Sequence, residues 1–137
     1  MANQFLMEIL TPERSFYCDT IDAVIVPAPD GDMSIHKGHE NMVLYLVPGE
    51  MRILKDKKWQ FCSVADGFVE IRPDETIIFT QAAEWPEEID VHRAQQEKLM
   101  AEEKLRQKLS EKEYRQNKIL LAKAMARLAL SKKKIKL

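Results

Sequence analysis

The chain changes character at Glu84. Before it, short apolar runs are broken every few residues by turn-forming residues. After it, the pattern becomes two long, polar segments of helical period. A chain divided in this way builds a strand-based unit with a helical appendage, and its 137 residues suffice for a compact domain of about 85 with the remainder outside it. The expected organisation is an all-β sandwich over residues 1–84 and an antiparallel α-helical hairpin over 85–137.

Phe5 to Leu10 reads as a strand closed by Thr11-Pro12-Glu13. Phe16 to Val26 reads as a second, ended by Pro27-Ala28-Pro29-Asp30-Gly31, and Met33 to Ile35 as a short third. Met42 to Val47 is apolar at every position, which fits a strand covered on both faces or one that meets a partner. Met51 to Leu54 and Trp59 to Val64 flank Lys55-Asp56-Lys57-Lys58 as a hairpin, and Phe68 to Ile71 and Thr76 to Ala82 complete the series. Strands recurring at this spacing with no helix between them predict an antiparallel sandwich or barrel rather than a parallel sheet.

Pro86, followed by Glu87 and Glu88, predicts a helix start, because proline suits the first turn and acids suit the positive end of the helix dipole. Ala94, Leu99, Ala101, Leu105 and Leu109 form a narrow apolar stripe. Ser110 stands three residues before Glu113 in a capping-box arrangement, so one helix should end near Leu109 and another begin at Glu111. The second carries Tyr114, Leu121, Met125 and Leu128, with alanines between them that allow close helix packing. The tail from Lys132 to Lys136 is expected to fray.

Charge divides as sharply as structure. Residues 1–86 carry 7 Lys and Arg against 14 Asp and Glu, whereas residues 87–137 carry 14 against 8. Two halves of opposite sign attract each other in dilute salt, and each can be offered to a partner. Acids interleaved along the helices argue against a phosphate-tracking surface, so nucleic acid is not an expected partner.

Lys123 and Arg127 interrupt the richest apolar stretch, Ile119 to Leu130, and no run reaches the roughly 20 residues that cross a bilayer. The opening Met-Ala-Asn-Gln lacks a signal-peptide layout, so a cytosolic protein without direct membrane insertion is expected. Cys18 and Cys62 have no metal or disulfide spacing and read as buried or partly buried reduced thiols. His36-x-x-His39 reads as a loop pair, with no metal site expected. No nucleophile elbow, glycine-rich phosphate loop or catalytic triad is present, so no catalytic residues are assigned.

Asp90 and Arg93 stand three apart, hence on one helix face, with Glu84 just before them. The plain reading is a surface ion pair. A hairpin bent near Ser110, however, returns Lys123 and Arg127 to the same place. Guanidinium and ammonium groups suit phosphates, and a carboxylate accepts from a base amino group or a ribose hydroxyl, so a nucleotide site is sterically possible there.

Four segments, in order, carry a family resemblance: Asp30-Gly31-Asp32-Met33-Ser34-Ile35 with Gly38-His39; Val47-Pro48-Gly49-Glu50-Met51-Arg52-Ile53; Ala65-Asp66-Gly67-Phe68-Val69-Glu70-Ile71; and Ala83-Glu84 through Ile89-Asp90-Val91-His92-Arg93-Ala94. In this order the chain resembles the epsilon subunits of bacterial F-type rotary ATP synthases. The resemblance implies a ten-stranded sandwich at the foot of the central stalk, against the gamma subunit and the c-subunit ring, on the cytoplasmic face of the cell membrane. It also implies a hairpin that lies on the sandwich or rises toward the catalytic head, where it blocks ATP hydrolysis.

By position, the resemblance implies c-ring contact through a loop holding Asp32 and His39, and contact with the catalytic beta subunit through Lys123, Arg127, Lys132, Lys133 and Lys134. It implies ATP as a weak regulatory ligand, with no cofactor required, at Glu84, Ile89, Asp90, Arg93, Lys123 and Arg127. ATP-binding members carry arginines where this chain has Met100 and Lys123. The alternative function is a free-standing cytosolic nucleotide-sensing module.

Overall fold

The computed structural model describes residues 3–132. Its strands are β1 (Phe5–Leu10), β2 (Ser15–Ile21), β3 (Ala23–Ala28), β4 (Gly31–His36), β5 (Met42–Leu46), β6 (Gly49–Lys55), β7 (Lys58–Val64), β8 (Gly67–Ile71), β9 (Glu75–Thr80) and β10 (Ala83–Glu84). They form two five-stranded sheets, ordered β2-β1-β9-β8-β5 and β10-β7-β6-β3-β4. Met7, Ile9, Ile21, Ile35, Met51, Ile53 and Ile78 interleave between the sheets and are fully buried. The strand period thus puts the core where alternation requires it.

Two features depart from the sequence reading. Phe16 to Val26 is two strands rather than one, because the chain turns a corner at Asp22 and passes from the first sheet to the second. The Asp22 amide donates to the Leu54 carbonyl at 2.8 Å, and its carboxylate accepts the Asp56 amide at 2.8 Å. The ladder between β1 and β9 is parallel, whereas all the others are antiparallel among the described residues. These two strands are joined through the second sheet, so no tight turn dictates their direction.

The β6–β7 hairpin turns on Asp56 and Lys57, both at positive φ (49° and 68°), as a two-residue turn of the twist-matching kind requires. At β5 only one face is covered, because it lies at the edge of the first sheet: Leu46 is buried and Leu44 packs on the core, whereas Val43 is 67% and Tyr45 76% exposed.

The helical half begins later than the proline signal suggested. Pro86–Glu88 makes a single 3-10 turn, and the first helix, α1, spans Val91–Leu105. Asp90 caps it, its carboxylate accepting the Arg93 amide at 3.1 Å, so a second start signal four residues on overrides the first. The linker itself is fastened down. Trp85 stacks on Phe16 with ring centroids 4.5 Å apart, and the Arg14 guanidinium donates to both Glu88 oxygens at 3.0 and 2.8 Å.

Helix α1 also stops at Leu105 instead of Leu109. The second helix, α2, spans Glu111–Ser131 behind the expected Ser110–Glu113 capping box. Ala94 and Ala101 of α1 and Ala124 of α2 are buried, but Leu99 is 64% exposed and Tyr114 and Met125 face solvent. The inner stripe therefore runs on these alanines, with Leu130 buried near the end of α2. Helix α2 lies between α1 and strands β6 and β7 of the second sheet. Lys132 caps α2, and Lys133 to Lys136 lie outside the described residues. Cys62 is buried, whereas Cys18 is exposed on β2, against expectation, because on this edge strand it pairs with Glu8 on the face opposite Tyr17 and Ile21, which turn toward the core.

Candidate functional site

A cleft of about 770 Å³ opens where the hairpin meets the sandwich. Strand β10 brings Glu84, the first turns of α1 bring Arg93 and Glu97, and the returning α2 brings Lys123 and Arg127. Arg14, from the turn before β2, and Glu88, from the linker, complete its charged rim. Four of the six residues expected in a nucleotide site, Glu84, Arg93, Lys123 and Arg127, therefore do converge. Ile89 is buried and Asp90 is committed as a helix cap; neither lines the cleft.

Arg127 is the deepest cation, its side chain 16% exposed. Its Nε and Nη2 donate to the two Glu84 oxygens at 2.6 and 3.2 Å, and its Nη1 donates to Glu97 at 3.2 Å. One guanidinium thus ties α2 to both β10 and α1, using the planar fork that lysine lacks. One turn before it, Lys123 pairs with Asp66 of the β7–β8 turn at 2.8 Å. Burial opposes the charge on Asp66, but the Lys123 ammonium and a backbone amide outweigh it and hold the carboxyl below its usual range.

The ion pair expected between Asp90 and Arg93 does not form. The Asp90 carboxylate takes the Arg93 amide as a cap, and the Arg93 guanidinium turns to Glu97 at 3.0 Å. Sequence reasoning missed Glu97, although its four-residue step from Arg93 was a usable signal. It also missed Arg14, Asp66 and Glu88. Arg14 and Asp66 come from distant turns, and only the sheet order brings them here.

The ATP synthase delta/epsilon chain beta-sandwich domain matches residues 4–86, and the long alpha-helix domain of the same chain matches residues 87–132. The chain belongs to the ATP synthase delta/epsilon chain family. Within that family, an ATP synthase epsilon chain of Ruminiclostridium cellulolyticum is 42% identical over 130 residues, covering 95% of this chain and 97% of that one. Another, of Caldanaerobacter subterraneus subsp. tengcongensis, is 41% identical over 134 residues, covering 97% of each. A chain of the Euglena gracilis mitochondrial ATP synthase, solved by cryo-EM as an OSCP/F1/c-ring assembly, shares the fold with a TM-score of 0.78 at 22% identity, over 92% of this chain and 80% of that one. Like the epsilon chains it resembles, this delta/epsilon family member is a non-catalytic subunit.

The other positions singled out in this delta/epsilon chain are dispersed. Asp32 sits within β4 rather than in a loop, paired with Arg52 at 2.8 Å. His39 lies three residues beyond the end of that strand, its Nδ1 2.9 Å from the Glu40 carbonyl. The strand holds the two apart instead of presenting them on one loop. Lys132 is exposed at the end of α2. Among the described residues, no helix is long and apolar enough to cross a membrane.

Proposed function

We propose that this chain is an epsilon-type central-stalk subunit of a bacterial F-type ATP synthase, peripheral to the cytoplasmic face of the cell membrane, whose hairpin leaves the sandwich to inhibit ATP hydrolysis. The carrying observation is how the hairpin is fastened. Of α2, Ala124, Leu130 and Ser131 are buried, and its ion pairs to the sandwich are those of Arg127 with Glu84 and of Lys123 with Asp66. Part-exposed pairs of this kind contribute about 0–1 kcal/mol each, so docking is worth a few kcal/mol and is reversible. A ligand at about 100 times its dissociation constant adds about 2.7 kcal/mol, enough to reset such a balance. ATP in the cleft, on Arg93, Lys123 and Arg127, would hold the hairpin down and relieve inhibition.

The sandwich supplies the fixed contacts. Val43, Tyr45 and Phe68 stand exposed on the first sheet, with Phe68 stacked on Phe79 at 4.7 Å. An exposed apolar patch of this kind marks an interface, and it lies on the first sheet, whereas α2 packs on β6 and β7 of the second. We assign it to the gamma subunit, and Asp32 and His39 to the c ring. In the raised state Lys123, Arg127 and Lys132 would face the catalytic beta subunit.

Affinity capture of the tagged chain from detergent-solubilised membranes tests the assembly. Gamma and c subunits should be recovered with it in fixed proportion. Recovery of the chain alone would remove the motor reading and leave a free-standing sensor.

A further inference from the structure

Four cations line the cleft, and each is already held by a carboxylate of the same chain: Arg14 by Glu88, Arg93 by Glu97, Lys123 by Asp66, and Arg127 by Glu84 and Glu97. These pairs are not equivalent. Those of Arg127 with Glu84 and of Lys123 with Asp66 join the hairpin to the sandwich. Glu97 does not; it lies within the hairpin and bridges two guanidinium groups, with Oε1 on Arg93 Nε at 3.0 Å and Oε2 on Arg127 Nη1 at 3.2 Å. A carboxylate that gives one oxygen to each of two arginines stands where two oxygens of a phosphate would stand.

We propose that Glu97 is a built-in competitor for polyphosphate: it occupies the Arg93–Arg127 pair in the docked hairpin, and nucleotide enters by displacing it. This rests on the nucleotide reading above and specifies how that site is regulated. The bridge is placed for displacement, since the Arg93 side chain is 72% exposed and Glu97 43%, at the mouth of the cleft. Arg127 keeps both Glu84 oxygens when Glu97 leaves, so the latch to the sandwich survives ligand entry. The carboxylate thereby sets the affinity of the site without setting the attachment of the hairpin.

The test is calorimetric titration of the full chain with ATP and, separately, with inorganic tripolyphosphate, which carries the phosphate charge without base or sugar. Glu97→Gln keeps the size of the side chain and removes its charge, so it should tighten both probes about tenfold. Glu103→Gln, an exposed acid on α1 outside the cleft, should leave both unchanged. Adding Arg93→Ala to Glu97→Gln should abolish the gain. If the wild-type chain binds and Glu97→Gln binds no tighter, the competitor proposal fails while the nucleotide site stands. Amide exchange along α2 covers the case of a loosened hairpin: lost protection without tighter binding makes Glu97 a strut and also overturns the proposal. Absence of binding to either probe at millimolar concentration, in wild type and variant alike, overturns both readings.

Discussion

At Gly67 the backbone of β8 passes so close to β9 that a side chain has no room. A Cβ there would lie 1.8 Å from the Phe79 carbonyl oxygen and 2.9 Å from the Thr80 Cα, both fixed by the sheet. Gly67→Ala should therefore cost about 3 kcal/mol, at the upper end of overpacking effects, and urea unfolding monitored by circular dichroism would register it. A milder outcome would mean that β8 and β9 separate at little cost. The cysteines make a second residue-scale prediction. Burial pushes the Cys62 thiol up to about 12, whereas Cys18 lies exposed on β2. Since the thiolate is the reactive form, a thiol reagent at pH 8 should modify Cys18 in the native protein and reach Cys62 only on unfolding. Early modification of both would show that the two sheets open readily around Cys62.

Among the elements, the linker and hairpin anchors depend on carboxylates held below their usual range. The Trp85 amide, followed by the Arg14 guanidinium, holds Glu88 below its usual range against the effect of burial, and Asp66 is likewise lowered on balance. A depressed folded-state value means stability that is complete above the unfolded value and is lost as pH falls through the folded one. The hairpin should thus stay docked from neutral pH down to about pH 4 and detach below it. Distance between labels on Met125 and Gln60, each replaced by cysteine in a Cys18→Ser background, would follow this by fluorescence transfer. Detachment already near pH 6 would mean that these carboxylates do not control docking. Legibility in the sequence follows the same local logic. The Lys55–Lys58 turn and the Ser110–Glu113 capping box were readable because every group involved lies within four residues. The corner at Asp22 was not, since it depends on Leu54 and Asp56 from the β6–β7 hairpin, and the parallel β1–β9 ladder joins strands that are neighbours in space but far apart in sequence. The start of α1 is not legible locally, because Pro86 and Asp90 both carry start signals and local sequence does not rank them. In the cleft, folding back the hairpin was enough to gather Arg93, Lys123 and Arg127 near Glu84. Arg14 and Asp66 needed the sheets.

For the molecule as a whole, the opposite charges of its two halves meet at a few points: Arg127 with Glu84, Lys123 with Asp66, and, in the reverse sense, Arg14 with Glu88. The two α2 cations consequently have two assignments. They fasten the docked hairpin in the structure, and they would face the beta subunit in the proposed raised state. Replacing them alters both states at once, whereas replacing their sandwich partners alters only the docked one. With Asp66→Asn and Glu84→Gln together, the hairpin should undock with its basic face intact, and ATP hydrolysis by the assembled enzyme should fall several-fold at low salt. With Lys123→Ala and Arg127→Ala, the hairpin should undock without the charges that engage the head, and hydrolysis should rise. Steady-state ATPase assays on the two reconstituted enzymes, run beside wild type at low and high ionic strength, would read both signs. Screening shortens the reach of every exposed pair to about 8 Å at physiological salt and less above it, so the difference between the variants should shrink as salt increases. Changes of the same sign in both variants would mean that the docked pairs and the inhibitory contact are unrelated, and the hairpin would then act through its apolar residues.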